Sequence, residues 1–146
     1  MKIYFAGSIK GGRENQKIYE IIVKFLESHG HKVLTKHVAR PDVVELESRK
    51  SKEAIFSRDL KWLHEADILI ADVSIPSLGV GWEIAYFSRV LRKPVVCLTK
   101  KPDISAMIAG DPRIPVYEYD DENLEDVLEM IEKKYLIKDK NQRTKR

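Results

Sequence analysis

Short apolar runs alternate with amphipathic stripes along this chain. The first run, Ile3 to Ala6, breaks at Gly7-Ser8-Ile9-Lys10-Gly11-Gly12-Arg13. Apolar residues then return as Ile18, Ile21, Ile22, Phe25 and Leu26, the i, i+3, i+4, i+7, i+8 spacing of one helix face. Gly30 supplies the stop. Residues 32–35 predict a short second strand, and 39–50, polar and carrying Pro41, predict an exposed loop. A helix over 51–66 follows, then a buried strand over 68–73. Ser74-Ile75-Pro76-Ser77-Leu78-Gly79-Val80-Gly81 turns into a helix running through Leu91, followed by a strand over 94–98. A helical turn near 104–109, a last strand over 116–119 and a closing helix with Leu124, Val127, Leu128 and Ile131 on one stripe complete the chain.

Five short strands interleaved with helices predict an α/β fold, a three-layer sandwich around a five-stranded parallel sheet of flavodoxin-like form. Ligands in such sheets bind beyond the carboxyl ends of the strands, where strand order reverses. The loops after strands one to four should therefore surround one crevice. The length, 146 residues, suits a single domain over 1–137.

Charge and composition narrow the chemistry. The net charge of +3 is misleading, because residues 138–146 carry five bases and one acid, leaving the preceding 137 residues at −1. The basic character belongs to a tail, expected to be solvated and disordered, rather than to a face, and nucleic-acid binding loses its support. No apolar run approaches the roughly 20 residues of a membrane helix, and the start is too short to be a secretory signal, so a soluble, cytoplasmic protein is expected. Cys97 is the only cysteine and sits in Val95-Val96-Cys97-Leu98, which excludes an intrachain disulfide and a thiolate cluster and reads as a small buried hydrophobe. His29, His31, His37 and His64 form no recognisable metal set, and no cofactor is implied. His29 and His31 flank a helix end and are expected in solvent; His37, after strand two, faces the crevice side.

Three places could carry chemistry. The loop after strand one holds three glycines, a hydroxyl and two cations just before a helix, the makings of a phosphate cradle in which backbone N–H groups, the helix dipole, Ser8, Lys10 and Arg13 meet an anion. Asp59 falls in register with Ile55, Trp62, Leu63 and Ala66, on the stripe that should face the sheet, where a carboxylate must be paired or used. Its ordinary reading is an ion pair with Arg58. Glu83 borders the stripe Val80, Ile84, Phe87 and Leu91 in the first turns of its helix, where the dipole favours an ionised carboxylate. Its ordinary reading is a favourable first-turn charge. Gly79 and Gly81 suggest that something approaches this turn closely. Two inward carboxylates and a phosphate loop point to glycosidic-bond chemistry on a phosphorylated sugar, of the retaining kind if the carboxyl groups lie about 5 Å apart.

The blocks Tyr4 to Arg13, Val33 to Val38, Asp59 to Leu63, Pro76 to Glu83 and Ser105 to Ile108 resemble, in the same order, the 2′-deoxynucleoside 5′-phosphate N-hydrolases of the nucleoside 2-deoxyribosyltransferase superfamily. The resemblance implies that Glu83 is the nucleophile toward C1′, Asp59 the acid/base partner and Tyr4 the hydroxyl that orients the nucleophile. It implies that Ser8, Lys10, Ser77 and the neighbouring subunit's serine at position 105 hold the 5′-phosphate of a deoxynucleotide. Ala6, Gly7, Ile9, Gly11, Gly12, His37, Gly79 and Met107 would line the site, and the protein would be a homodimer with composite sites. Lys10 stands where these hydrolases carry arginine, which removes a bidentate phosphate grip, and Trp82 replaces a tyrosine beside the nucleophile.

Other readings stay open at this point. A deoxyribosyltransferase would use the same intermediate with a free base in place of water, and a nucleotide-binding sensor would keep the carboxylates as structure. A phosphoreceiver domain finds Asp72 and Lys100 at strand ends but lacks the acidic pair that magnesium needs after strand one.

Overall fold

A computed structural model describes residues 1–9 and 14–137. The expectations placed on Lys10, Gly11, Gly12, Arg13 and the tail 138–146 lie outside the described residues. Five strands, β1 (Lys2–Ala6), β2 (Lys32–Val33), β3 (Ile68–Asp72), β4 (Val95–Thr99) and β5 (Val116–Glu118), form one sheet in the order β2-β1-β3-β4-β5, every pairing parallel. Strand order reverses between β1 and β3, so the crevice opens there.

Side-chain alternation along the strands builds two cores. Ile3, Phe5, Ile68, Ile70, Val96 and Leu98 face α1 (Gln16–Ser28) and, following the short α5 (Ala106–Ala109) in the chain, α6 (Leu124–Ile131). Tyr4, Ala6, Leu69, Ala71, Val95 and Cys97 face α3 (Lys52–Glu65) and α4 (Leu78–Ala85). The three-layer sandwich is thus present. Each helix of the second layer starts on a serine: Ser51 Oγ accepts from Ala54 N at 3.1 Å, and Ser77 Oγ from Val80 N at 3.3 Å, relieving first-turn donors that the helix cannot satisfy itself.

Several local expectations give way. Residues 39–50 are not one exposed loop, because α2 (Val43–Ser48) forms there and buries Val43 and Glu47, one helical turn apart on the same side. Strand two stops at Val33, since Thr35 Oγ1 donates to Phe5 O at 2.6 Å and accepts from Phe5 N at 2.9 Å, taking the place of further ladder. The chain then turns through a 3₁₀ segment, Lys36–Ala39. On α1 the buried side is Tyr19, Ile22, Val23, Phe25 and Leu26, and Ile21 is half exposed; the apolar stripe is wider than one face needs. α4 ends at Ala85 and the chain continues to Val90 as a π-helical turn. His31 is not solvated: its Nε2 meets Glu132 at 2.8 Å and its Nδ1 the N-terminal amine at 3.1 Å, while exposed His29 stacks on Phe25. Cys97 is free and buried, its thiol pushed up to about 12 by burial and then by Asp72. No described helix is long and apolar enough to cross a membrane.

Candidate active site

β1 sets the floor of the crevice. Its alternation turns Tyr4 toward α3 and α4, the side from which Asp59 and Glu83 come. Immediately after the strand, Gly7 lies against the Tyr19 ring, and a Cβ there would stand 2.8 Å from Tyr19 Cζ. Ser8 is wholly buried and its backbone N–H donates to Tyr19 Oη at 3.1 Å. The start of the cradle is therefore fixed by the first turn of α1. Ala6 is buried in the sheet.

Gly7, Ile9, Glu47, Lys52, Ile55, Phe56, Asp59, Ser77, Gly79, Trp82 and Glu83 are among the residues around one cavity of about 460 Å³, a size that suits a small ligand. The structure thus brings together Asp59, Glu83 and, at Gly7 and Ile9, the start of the loop predicted to hold phosphate, which lie far apart in the chain. Beside Gly79 and Gly81 there is open space, consistent with room for an approaching group. Asp59 does not press onto the sheet as its stripe suggested. Only Leu63 and Ala66 of that stripe are buried, because the N-terminal half of α3 overhangs the cavity.

The electrostatics concern proton placement. Burial raises Glu83 to about 8, with the Asp59 charge adding to it, while a hydrogen bond from the Tyr4 hydroxyl and the nearby Arg58 work the other way. Burial likewise raises Asp59; Arg58 opposes this, and Glu47 adds to it. Tyr4, raised far above the ordinary phenol by burial and then by the Glu83 and Asp59 charges, stays a donor. At neutral pH Glu83, raised to about 8, therefore retains a proton in the ligand-free site, and a retaining mechanism requires that proton to pass to Asp59 before Glu83 can attack.

The ordinary reading of Asp59 also finds its partner. Arg58 Nε donates to Asp59 Oδ1 at 2.9 Å, and Arg58 Nη2 reaches Glu47 Oε1 at 2.8 Å and lies 3.3 Å from His37 Nε2. His37 backs the cavity rather than lining it, close to Glu47 Oε1 at 3.1 Å and to the Trp62 ring. Its imidazole is driven down to about 4, first by burial and then by Arg58, and is neutral at pH 7. Glu47 escaped the sequence reading because its neighbourhood reads as loop; its spacing from Val43 was the available signal. The aromatic row is a second feature missed: Phe56 meets Trp82 edge-on at 5.6 Å, Trp82 stacks on Tyr86 at 5.1 Å, and His64 bonds the Tyr86 hydroxyl at 2.8 Å.

Ser105 and Met107 are not at this chain's own Asp59–Glu83 cavity. They border a second groove of about 1250 Å³ that includes Leu78, Ile108 and Ile114, and the two spaces share Ser77 and Val80. Leu78 is 97% and Met107 83% exposed there. Asp72, the residue that a phosphoreceiver would use, is wholly buried and held by the Tyr119 hydroxyl, by Ser74 N at 2.9 Å and by Asn15 Nδ2 at 3.5 Å. Lys100 pairs with Asp121 at 2.7 Å instead. Among the described residues no group of three or more His, Cys, Asp or Glu is placed to hold a metal ion.

The sequence matches the nucleoside 2-deoxyribosyltransferase family over residues 3–138. It is 43% identical over 145 residues to a mouse protein named 5-hydroxymethyl-dUMP N-hydrolase, the match covering 92% of this chain and 81% of the mouse protein. It is 42% identical over 139 residues to a Thermofilum pendens protein that bears the provisional name 2′-deoxynucleoside 5′-phosphate N-hydrolase 1, with 90% and 95% covered. A solved structure of a CMP N-glycosidase from Clostridium botulinum has a TM-score of 0.62 at 21% identity, over 90% of this chain and 99% of that one, and so shares the fold.

Proposed function

The chain belongs to the nucleoside 2-deoxyribosyltransferase family, and we propose that it is the hydrolytic kind of enzyme within it, cleaving the N-glycosidic bond of 2′-deoxynucleoside 5′-monophosphates. The observation that carries this reading is the pairing, in one cavity, of two carboxyls whose proton affinities are raised by burial, with Gly7 and Ile9 after β1 beside them.

In the productive protonation state Glu83 is ionised and Asp59 holds the shared proton. The Tyr4 hydroxyl, donating to Glu83, works toward that distribution against the burial that raises Glu83 to about 8. Glu83 attacks C1′ as the bond to the base breaks, and Asp59 passes its proton to the leaving base. Asp59, now ionised, takes a proton from water as that water attacks C1′ and the C1′–Glu83 bond breaks, its electron pair returning to the Glu83 carboxylate. The products are free base, 2-deoxyribose 5-phosphate and the regenerated carboxylate. The 5′-phosphate would lie at the turn after β1, held by Ser8, Lys10 and the Gly11-Gly12 backbone, with Ser77 opposite. The Ser77 hydroxyl accepts from its own helix and keeps its proton for a ligand.

The second groove supports a homodimer with composite sites. Leu78 and Met107 expose apolar surface beside Ser105, and a second copy seated there would bring its own Ser105 toward the Ser77 wall that both spaces share. Incubation with a panel of deoxy- and ribonucleoside monophosphates, with and without a second free base, tests the reading. Free base plus 2-deoxyribose 5-phosphate from the deoxy compounds, with much slower reaction of the ribo compounds, is expected, since a 2′-hydroxyl disfavours oxocarbenium character. Formation of a new nucleotide in preference to hydrolysis would assign a transferase, and tight binding without turnover a sensor.

A further inference from the structure

Glu47 is the carboxylate that the proposed chemistry leaves unused. It is 6% exposed, comes from α2 rather than from either catalytic helix, and borders the same cavity. Oε1 takes Arg58 at 2.8 Å, and Oε2 is buried with no hydrogen-bond partner among the described residues. A half-satisfied buried carboxylate is costly, so its retention calls for a compensating role. Arg58 is the natural recipient, because one guanidinium spans Glu47 and Asp59 at 2.8 and 2.9 Å while lying over the Trp62 ring at 5.0 Å. Asp59 Oδ1 is held by that contact, and Oδ2 remains for a ligand in the cavity.

We propose that Glu47 is a positioning residue for Asp59: by drawing Arg58 into a clamp between two carboxylates, it fixes the Asp59 carboxyl and offsets the cation that would otherwise strip Asp59 of its proton. This rests on the reading of Asp59 as the general acid. The physical need is plain. An acid must hold a proton at working pH, and an arginine in direct contact favours the ionised form. With Glu47 present the trio Glu47, Arg58 and Asp59 carries one negative charge rather than none. The other charged or titratable groups facing Asp59 are Tyr4 on β1, His37 in the 3₁₀ turn, Lys50 between α2 and α3, and Glu83 on α4. Of these only Glu83 can contribute negative charge, and it must itself be ionised to attack, which leaves Glu47 as the remaining source.

The test reads Asp59 directly, by ¹³C-carboxyl NMR titration of the ligand-free protein, with Asp59→Asn identifying the resonance. Glu47→Gln should move the Asp59 titration down by about one pH unit, and Arg58→Gln should move it up. In kinetics with a deoxynucleoside monophosphate, the high-pH limb of kcat should follow the same two directions, with KM within about twofold. The double variant E47Q/R58Q leaves no buried charge unpaired and is the one read if a single variant fails to fold. It should restore the titration while losing about tenfold in kcat, because Asp59 is no longer held. Unchanged titration in Glu47→Gln, shifts of the same sign in both single variants, or wild-type kcat in the double variant would each overturn the proposal. Absence of any deoxynucleotide hydrolysis by the wild-type protein would instead fail the functional reading, and the titration would still decide this one.

Discussion

Replacing Gly7 with alanine tests whether the turn after β1 is built on Tyr19. The added methyl would stand 2.8 and 2.9 Å from Tyr19 Cζ and Cε2, inside any tolerable contact. Tyr19 has nowhere to yield: it is wholly buried, its ring packs edge-on against Phe5 at 5.5 Å, and its hydroxyl accepts the Ser8 N–H. Overpacking of this kind costs about 1–3 kcal/mol, and a displaced ring also loses a backbone hydrogen bond of about 0.5–1.5 kcal/mol. For a chain of this length each kcal/mol lowers Tm by roughly 3 °C, so a fall of about 5–14 °C is expected in thermal unfolding. That bond fixes the start of the proposed phosphate cradle, so KM for deoxynucleotides should rise more than KM for deoxynucleosides. A double-mutant cycle with Tyr19→Leu isolates the cause, since a smaller side chain makes room for the methyl. A Gly7→Ala protein melting within about 1 °C of wild type, or the same loss in the Tyr19→Leu background, would refute the reasoning.

Glu83→Ala should release base at least ~100-fold more slowly with the fold kept, the lower range for a catalytic group; near-wild-type turnover by the folded variant would remove the covalent step. Ser105→Ala should weaken phosphorylated ligands roughly 10- to 150-fold, the loss of a hydrogen bond to a charged oxygen, and leave unphosphorylated nucleosides nearly unaffected; an active monomer in sedimentation, or equal effects on both ligand types, would sink the composite site. His37, held down to about 4 in the fold against an ordinary 6.5, binds its proton more readily in the unfolded chain across that interval. Its contribution is therefore complete above pH 6.5 and is lost as pH falls toward 4, by up to about 3 kcal/mol. Wild-type Tm should drop over this window more steeply than that of His37→Gln, and parallel curves would show that the imidazole is not buried neutral.

The sheet was legible because a parallel strand buried on both faces reads as an apolar run, and 3–6, 68–73 and 94–98 are such runs. The edges were not. β2 reads as four residues but pairs over two, because a threonine hydroxyl can replace ladder bonds and hydropathy does not register the substitution. Asp59 and Glu83 stood out as carboxylates on or beside apolar stripes. Glu47 did not, since its burial comes from a contact with Arg58 across 11 residues and α2 has too few turns to show a period. Ser105 was legible only by resemblance; within one chain the structure gives it a helix cap, accepting from Met107 N at 3.3 Å, and a place away from Asp59.

β1 ties the two halves of the proposed site into one distance. Tyr4 is paired in register with Leu69 and turned to the α3 and α4 side, while Gly7 lies three residues further on, beyond the strand end. At about 3.3 Å per residue the Tyr4 backbone and the proposed phosphate turn are set roughly 10 Å apart along a segment paired with β3 on one side and bonded by Thr35 on the other. A slip of one residue would not merely lengthen that span. It would send Tyr4 to the α1 and α6 side, remove the donor from Glu83, and put the Phe5 ring under the carboxylates. Thr35 guards against this slip where the short β2 cannot, since its hydroxyl bonds both the N–H and the carbonyl of Phe5. The abbreviated edge strand and the fixed span from Tyr4 to the turn after β1 thus have one cause.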